Sequence, residues 1–187
     1  MPPILVVLAA CHTISDLPVL DGEHCATDRE APVECVLDGD TLGLGGEADI
    51  AEDSGTVDSG IDENSCSSES IRLLGVDAPE IAHDSTETAD CYGNEATSYL
   101  STLLAGMTVR LEFDVECEDK YHRTLAYAFI ANDTEDQGDD VFINETIIRD
   151  GYALFYEEFG DIRQAPVLEA AQRDAESDNV GIWAECQ

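Results

Sequence analysis

Alternation of apolar and polar positions runs along this chain in short bursts, each closed by a turn residue. Val33 to Leu37 alternates and is β-branched, which predicts a strand. Asp38-Gly39-Asp40 is a turn, and Thr41-Leu42-Gly43-Leu44 is the expected hairpin partner. Ile71 to Val76 predicts a third strand, ending at Asp77-Ala78-Pro79-Glu80 because Pro79 cannot donate to a ladder. Thr108 to Phe113 and Leu125 to Ala131 predict two more. Helical period appears in Asn94 to Leu104, where Ala96, Tyr99, Leu100, Leu103 and Leu104 share a face and Gly106 marks the stop. Phe142 to Asp150 predicts a short helix stopped by Gly151, and Ala153 to Phe155 a last extended piece. Val167 to Ser177 predicts a terminal helix with Pro166 near its first turn, and Trp183 is expected to pack back on the domain. Five short strands with interposed helices predict an α+β domain, a small five-stranded β-barrel of OB type.

Other stretches follow neither period. The Gly, Ser, Asp and Glu-rich segment 45–69 reads as a solvated insertion. Asn132 to Asp140 reads as an acidic turn; the stretch from Asp133 resembles a calcium loop, but its twelfth position is Asn144 rather than Glu. Residues 1–10 (MPPILVVLAA) are apolar and too short to span a membrane. Leu8-Ala9-Ala10-Cys11 resembles a bacterial lipobox, making 1–10 a leader and Cys11 a lipidation site, although the first basic residue is Arg29. An apolar strand with a buried cysteine is the competing reading. Residues 11–31 are polar and read as a tether, leaving 32–187 as the domain.

Charge changes the picture. Among 187 residues, 42 Asp and Glu against 8 Lys and Arg leave a formal net charge of −34. A basic nucleic-acid-binding footprint is excluded, and passive adhesion to polyanions is disfavoured. If Cys11 of the seven cysteines carries lipid, six remain, an even number suited to disulfides in an exported protein. Cys91 and Cys117, just outside the first helix and the Asp119 segment, form one expected pair; Cys35 and Cys66, across the insertion, form another. The expectation is an exported monomer, a cell-envelope lipoprotein held at the membrane through Cys11 or a secreted protein, with no small organic cofactor.

Three segments carry candidate chemistry: Asp38-Gly39-Asp40-Thr41, Arg72 to Glu80, and Asp119-Lys120-Tyr121-His122-Arg123. Singly, each has a bland reading as a hairpin turn, a surface ion-pair group or a solvated strand end. Together they assemble a reaction centre. Asp40, Asp77 and the Ala78 carbonyl are hard oxygen donors suited to Ca²⁺ or Mg²⁺. Arg72 and Arg123 can fork onto phosphate oxygens, and Glu80 can take a proton from water. A metal, two guanidiniums and a carboxylate are what hydrolysis of a phosphodiester needs.

These segments resemble the staphylococcal nuclease (thermonuclease) family, whose signature runs DGDT, then RLxxVDxPE, then D-K/R-YGR. The likeness continues in Cys91-Tyr92-Gly93-Asn94-Glu95-Ala96, Leu125-Ala126-Tyr127, Asn144-Glu145, Ile147 to Gly151 and Gly181-Ile182-Trp183. The resemblance implies an OB-fold barrel with three helices and a Ca²⁺-dependent phosphodiesterase cutting DNA and RNA with little sequence preference, leaving 3′-phosphates. It implies Asp40, Asp77 and the Ala78 carbonyl as Ca²⁺ ligands and Glu80 as general base. Arg72 and Arg123 would clamp the phosphate, Lys120 and Tyr121 would contact the substrate's other phosphate oxygens, and Asp38 would steady the turn. It leaves the nucleotide-stacking tyrosine within Tyr152 to Glu158, with Tyr156 as candidate. The chain departs from the family pattern at His122, where Gly is usual, at Ala78, in the insertion and in the loss of a basic surface. That loss keeps a second reading in view: a catalytically inactive acidic OB-fold module binding protein or calcium.

Overall fold

A computed structural model describes residues 25, 28–45, 69–82, 86–131, 140–159 and 162–186. The leader, Cys11, most of the tether, the bulk of the insertion with Cys66, and most of the acidic turn lie outside the described residues. Strands β1 (Arg29–Asp38), β2 (Thr41–Leu44), β3 (Glu69–Leu73), β5 (Thr108–Glu112) and β6 (Thr124–Ile130) form the sheet order β3-β2-β1-β5-β6. A parallel pairing of β3 with β6 closes that order into a five-stranded barrel. The α+β barrel expected from the strand pattern is thus the fold. Short β4 (Val76–Asp77) pairs with β8 (Leu154–Phe155), and β7 (Val141–Phe142) pairs antiparallel with the end of β6. Helices α1 (Gly93–Leu104), α2 (Ile143–Arg149) and α3 (Ala165–Asp178) are followed by the single turn α4 (Ile182–Glu185). Among the described residues no helix is long and apolar enough to cross a membrane.

The inward faces of the strands make the core. Leu42, Leu44, Ile71, Leu73, Leu111 and Leu125 are buried completely or nearly so, and Ala96, Leu100 and Leu104 of α1 join them. Each such aliphatic side chain contributes about 1.5–3 kcal/mol on leaving water.

Three expectations need correction. The first strand starts at Arg29 rather than Val33. Its early half pairs with β5, from Arg29 opposite Leu111 to Pro32 opposite Thr108, while its later half pairs with β2. A partner ladder, not alternation, sets that start, so Arg29–Ala31 belong to the barrel and not to the tether. The strand expected over Ile71 to Val76 breaks at Leu74-Gly75, because Gly75 takes φ +76° to turn the chain into β4. The helix expected from Phe142 begins at Ile143, because Phe142 is held opposite Phe129 of β6.

Asn144 is fully buried at the foot of the β3–β6 seam. Its amide donates to the Leu74 carbonyl (2.9 Å) and, more loosely, to that of Ala126 (3.4 Å), and its oxygen accepts the Ala128 N–H (2.9 Å). A buried amide is tolerated only when satisfied in this way.

Candidate active site

The hairpin turn between β1 and β2 aims one carboxylate inward. Asp38 accepts the Asp40 N–H (3.0 Å), the local bond that makes Asp a turn former. Gly39 is required by close approach: a Cβ there would lie 2.5 Å from that of Ala78 and 2.9 Å from that of Ala96. Pressed against them, the turn buries Asp40, which is 5% exposed. Asp40 Oδ2 accepts the Ala78 N–H (2.8 Å) and pairs with the Arg72 guanidinium, while Oδ1 accepts the Thr41 hydroxyl (3.1 Å).

Arg72 sits on β3 opposite Thr41 and is 7% exposed. Its other terminal nitrogen lies 3.4 Å from Asp77 Oδ1. Burial, followed by the charge of Arg123, pulls the Arg72 pKa down against Asp38, Asp77 and Glu80, which support the cation. The five groups therefore share one electrostatic neighbourhood. Glu80, exposed, follows Pro79, and its carbonyl accepts the Asp90 N–H (2.9 Å) ahead of α1.

Arg123 arrives from the β5–β6 loop. The seam places Arg72 opposite Leu125, two residues beyond Arg123. Asp119 organises the loop: one oxygen accepts the Tyr121 N–H (2.8 Å) and the Arg123 N–H (3.0 Å), the other the Arg123 Nε–H (2.7 Å). Burial alone would raise the Asp119 pKa, but these bonds and the guanidinium charge outweigh it and hold the carboxyl below its usual range. Arg123 Nη1 then donates to the Thr41 hydroxyl (3.2 Å). His122, in the place usually held by Gly, adopts the glycine-like φ of +63°. Tyr121 is 66% exposed, with Lys120 Nζ 4.9 Å and Arg123 Cζ 5.5 Å from its ring centroid.

The residues singled out from the sequence thus divide. Asp40, Arg72, Asp77 and Arg123 come together in one chain of contacts running Arg123, Thr41, Asp40, Arg72, Asp77. Glu80 borders it electrostatically, Ala78 touches it through its amide, and Lys120 and Tyr121 stand on its rim. Tyr156 donates to Glu158 (2.6 Å), a bond that raises its pKa; its N–H donates to the Gly75 carbonyl (3.1 Å), just after β8, where Leu154 stands opposite Asp77. Thr41 and Asp119 received no role from the sequence, although both stand inside the motif segments. The signal was in their neighbours; the contacts depend on strand register.

Among the described residues no three acidic, His or Cys side chains converge as a metal-holding group. What converges is a pair of carboxylates, Asp40 and Asp77, on the single cationic Arg72. A hard-oxygen pair already balanced against positive charge fits a weakly held Ca²⁺ completed by carbonyl and water oxygens.

The disulfides correct the expected Cys91–Cys117 pairing. Cys25 bonds Cys117, and Cys91 bonds Cys186. β1 and β5 are antiparallel, with Arg29 opposite Leu111, and Cys25 before β1 meets Cys117 after β5. Cys35 is also disulfide-bonded, and the expected partner Cys66 lies outside the described residues.

The sequence profile described as Staphylococcal nuclease homologue matches residues 70–185. The chain is 36% identical over 117 residues to the thermonuclease of Staphylococcus intermedius, covering 62% of this chain and 63% of that protein. It is 32% identical over 118 residues to the thermonuclease of Staphylococcus hyicus, again covering 62% and 63%. It is also 27% identical over 174 residues to Endonuclease Htp3 of Saprolegnia parasitica, covering 92% of this chain and 77% of that protein. The chain thus spans somewhat under two thirds of the length of the two thermonucleases. Arg72, Asp77, Glu80 and Arg123 fall within the profile match, whereas Asp40 and Thr41 precede it and reach the same centre through the β1–β2 hairpin. On the strength of that match across most of its length, the chain belongs to the staphylococcal nuclease homologue family.

Proposed function

We propose that this protein is a Ca²⁺-dependent phosphodiesterase that hydrolyses DNA or RNA with little sequence preference. The observation that carries the reading is the unbroken line of contacts from Arg123 through Thr41 and Asp40 to Arg72 and Asp77, which sets two guanidiniums beside two carboxylates. The relatives named thermonuclease and endonuclease support it. Asp40, Asp77 and the Ala78 carbonyl would hold Ca²⁺, which supplies Lewis acidity toward the phosphate and toward water. Arg72, fixed from both sides, grips a non-bridging phosphate oxygen. Arg123 approaches from the β5–β6 loop and neutralises charge that grows on the phosphorane oxygens. Glu80 takes a proton from the attacking water as its oxygen bonds to phosphorus; the P–O5′ bond breaks, the 5′ oxygen leaves and takes a proton from solvent water, Glu80 gives its own proton back to solvent, and a 3′-phosphate remains. Lys120 and Tyr121 hold a neighbouring phosphate.

We further infer that the protein is exported and lipid-anchored through Cys11. Disulfides among the described cysteines support an oxidising compartment. Mass measurement of the Cys11 peptide from membranes tests the anchor, a diacylglyceryl adduct being the expected result.

The activity test is hydrolysis of DNA and RNA by the wild type with millimolar Ca²⁺, beside Glu80→Gln. Cleavage that needs Ca²⁺ and falls by roughly a hundredfold or more in the variant is expected. An intact wild type that cuts neither polymer, yet takes up Ca²⁺, returns the protein to the class of binding modules.

A further inference from the structure

The chain has seven arginines and one lysine. All seven arginines are ion-paired with carboxylates: Arg110 with two, Arg29, Arg149, Arg163 and Arg173 with glutamates, and the two site arginines with aspartates. Lys120 alone has no carboxylate partner among the described residues; its ammonium lies over the exposed Tyr121 ring. The cations gathered at the proposed phosphate site are therefore few: Lys120, with Arg123 and Arg72, which are themselves paired with Asp119 and with Asp40 and Asp77. Exposed acidic side chains lie on the segments that carry Lys120 and Tyr156. Glu116 and Glu118 are exposed on the loop leading to Lys120, and Glu157 and Glu158 are exposed beside Tyr156.

A double helix presents a phosphate every ~1.7 Å of its axis on two strands, and proteins that hold it neutralise several of them with Lys and Arg. Here a duplex seated at the centre would lay its flanking phosphates over glutamates. A short single strand can place one phosphate on the arginines and the next on Lys120 and Tyr121, then end before it meets the glutamates.

Resting on the nuclease reading above, we propose that the substrate class is short single-stranded oligonucleotides of a few residues, with duplex polymers disfavoured by repulsion that salt relieves. Ordinary nucleic-acid binding weakens as salt rises; duplex binding by this chain should strengthen.

Fluorescence anisotropy with Glu80→Gln in saturating Ca²⁺ separates binding from cleavage. Single strands of about two, four, eight and sixteen nucleotides should gain affinity only to about four, because the cationic spot has nothing further to offer. A duplex of equal length should bind at least about tenfold more weakly in dilute buffer, the gap narrowing near 1 M NaCl as repulsion is screened. Glu116→Lys combined with Glu157→Lys should tighten duplex binding about tenfold and leave the dinucleotide unchanged. Affinity that climbs steadily with length, or a duplex that binds tighter than the single strand at low salt, overturns the proposal and leaves the nuclease reading intact. A wild type that cleaves no substrate of any length overturns the nuclease reading itself.

Discussion

The two guanidiniums of the centre are held in opposite ways. Arg72 is fixed from the barrel: its side chain is 9% exposed, it stands on a central strand, and it lies between a buried aspartate and a half-exposed one. Arg123 is fixed from a loop: its side chain is 28% exposed, and its aspartate is four residues away in the same turn. Arg72 is therefore part of the stability of the domain, because removing it strands the Asp40 charge in the interior. Arg123 is a loop residue whose position depends on Asp119, on the Thr41 hydroxyl and on the Cys25–Cys117 bond, two residues before Asp119. In the proposed reaction the phosphate would thus be held by one guanidinium anchored in the barrel and one anchored in a loop.

Replacing each arginine by alanine is the sharpest way to break this contrast. Hydrolysis should fall by roughly a hundredfold or more in both variants. In urea unfolding, Arg72→Ala should lose about 3–5 kcal/mol, as buried pairs do when one partner is removed, and Arg123→Ala no more than about 1 kcal/mol. Equal losses would erase the distinction. Next, Cys25→Ser with Cys117→Ser should lower stability by about 2–5 kcal/mol. It should also lower kcat while the Ca²⁺ dependence stays that of wild type; an unchanged kcat would show that the loop needs no clamp.

Asp119→Asn tests the turn itself. Misplacing Arg123 should reduce kcat about tenfold with little change in KM; a rise in KM alone would make Asp119 a binding residue. The same carboxyl has a pH signature. Its folded pKa is depressed, so its contribution is present above the unfolded value near 4 and is lost as pH falls through the folded one. Acid titration of stability should therefore be shallower below about pH 4 in the variant than in wild type. The smallest effect concerns His122. Because it already sits at φ +63°, His122→Gly should stabilise the turn by up to about 1 kcal/mol and leave kcat unchanged. A loss of stability would mean that the imidazole contact with Glu118 (3.3 Å) outweighs the backbone strain.

Much of the barrel was legible because its strands bury one face and alternate. Leu42 and Leu44, Val109 and Leu111, and the face of α1 all declare their direction locally. The start of β1 was not legible, since Arg29 to Pro32 carry no alternation and become a strand only against β5. The charged members of the site were legible as residue types in order. Their wiring was not: Thr41 meets Arg123 because β2 and β3 register Thr41 against Arg72, and register is a property of two strands. The cysteines failed for the same reason, their partners being chosen by antiparallel pairing rather than by distance along the chain.

Asn144 has a consequence for how competence is reached. Its side chain bonds the backbone of Leu74, just past β3, and of Ala126 and Ala128 on β6. While those strands are apart, the helix carrying it would bury an amide with too few partners, so docking of α2 and closure of the cylinder belong to one cooperative step. The same two strands deliver Arg72 and, one residue before β6 begins, Arg123. A half-assembled chain therefore presents no guanidinium pair, and the proposed grip on a phosphate exists only where the β3–β6 seam is closed.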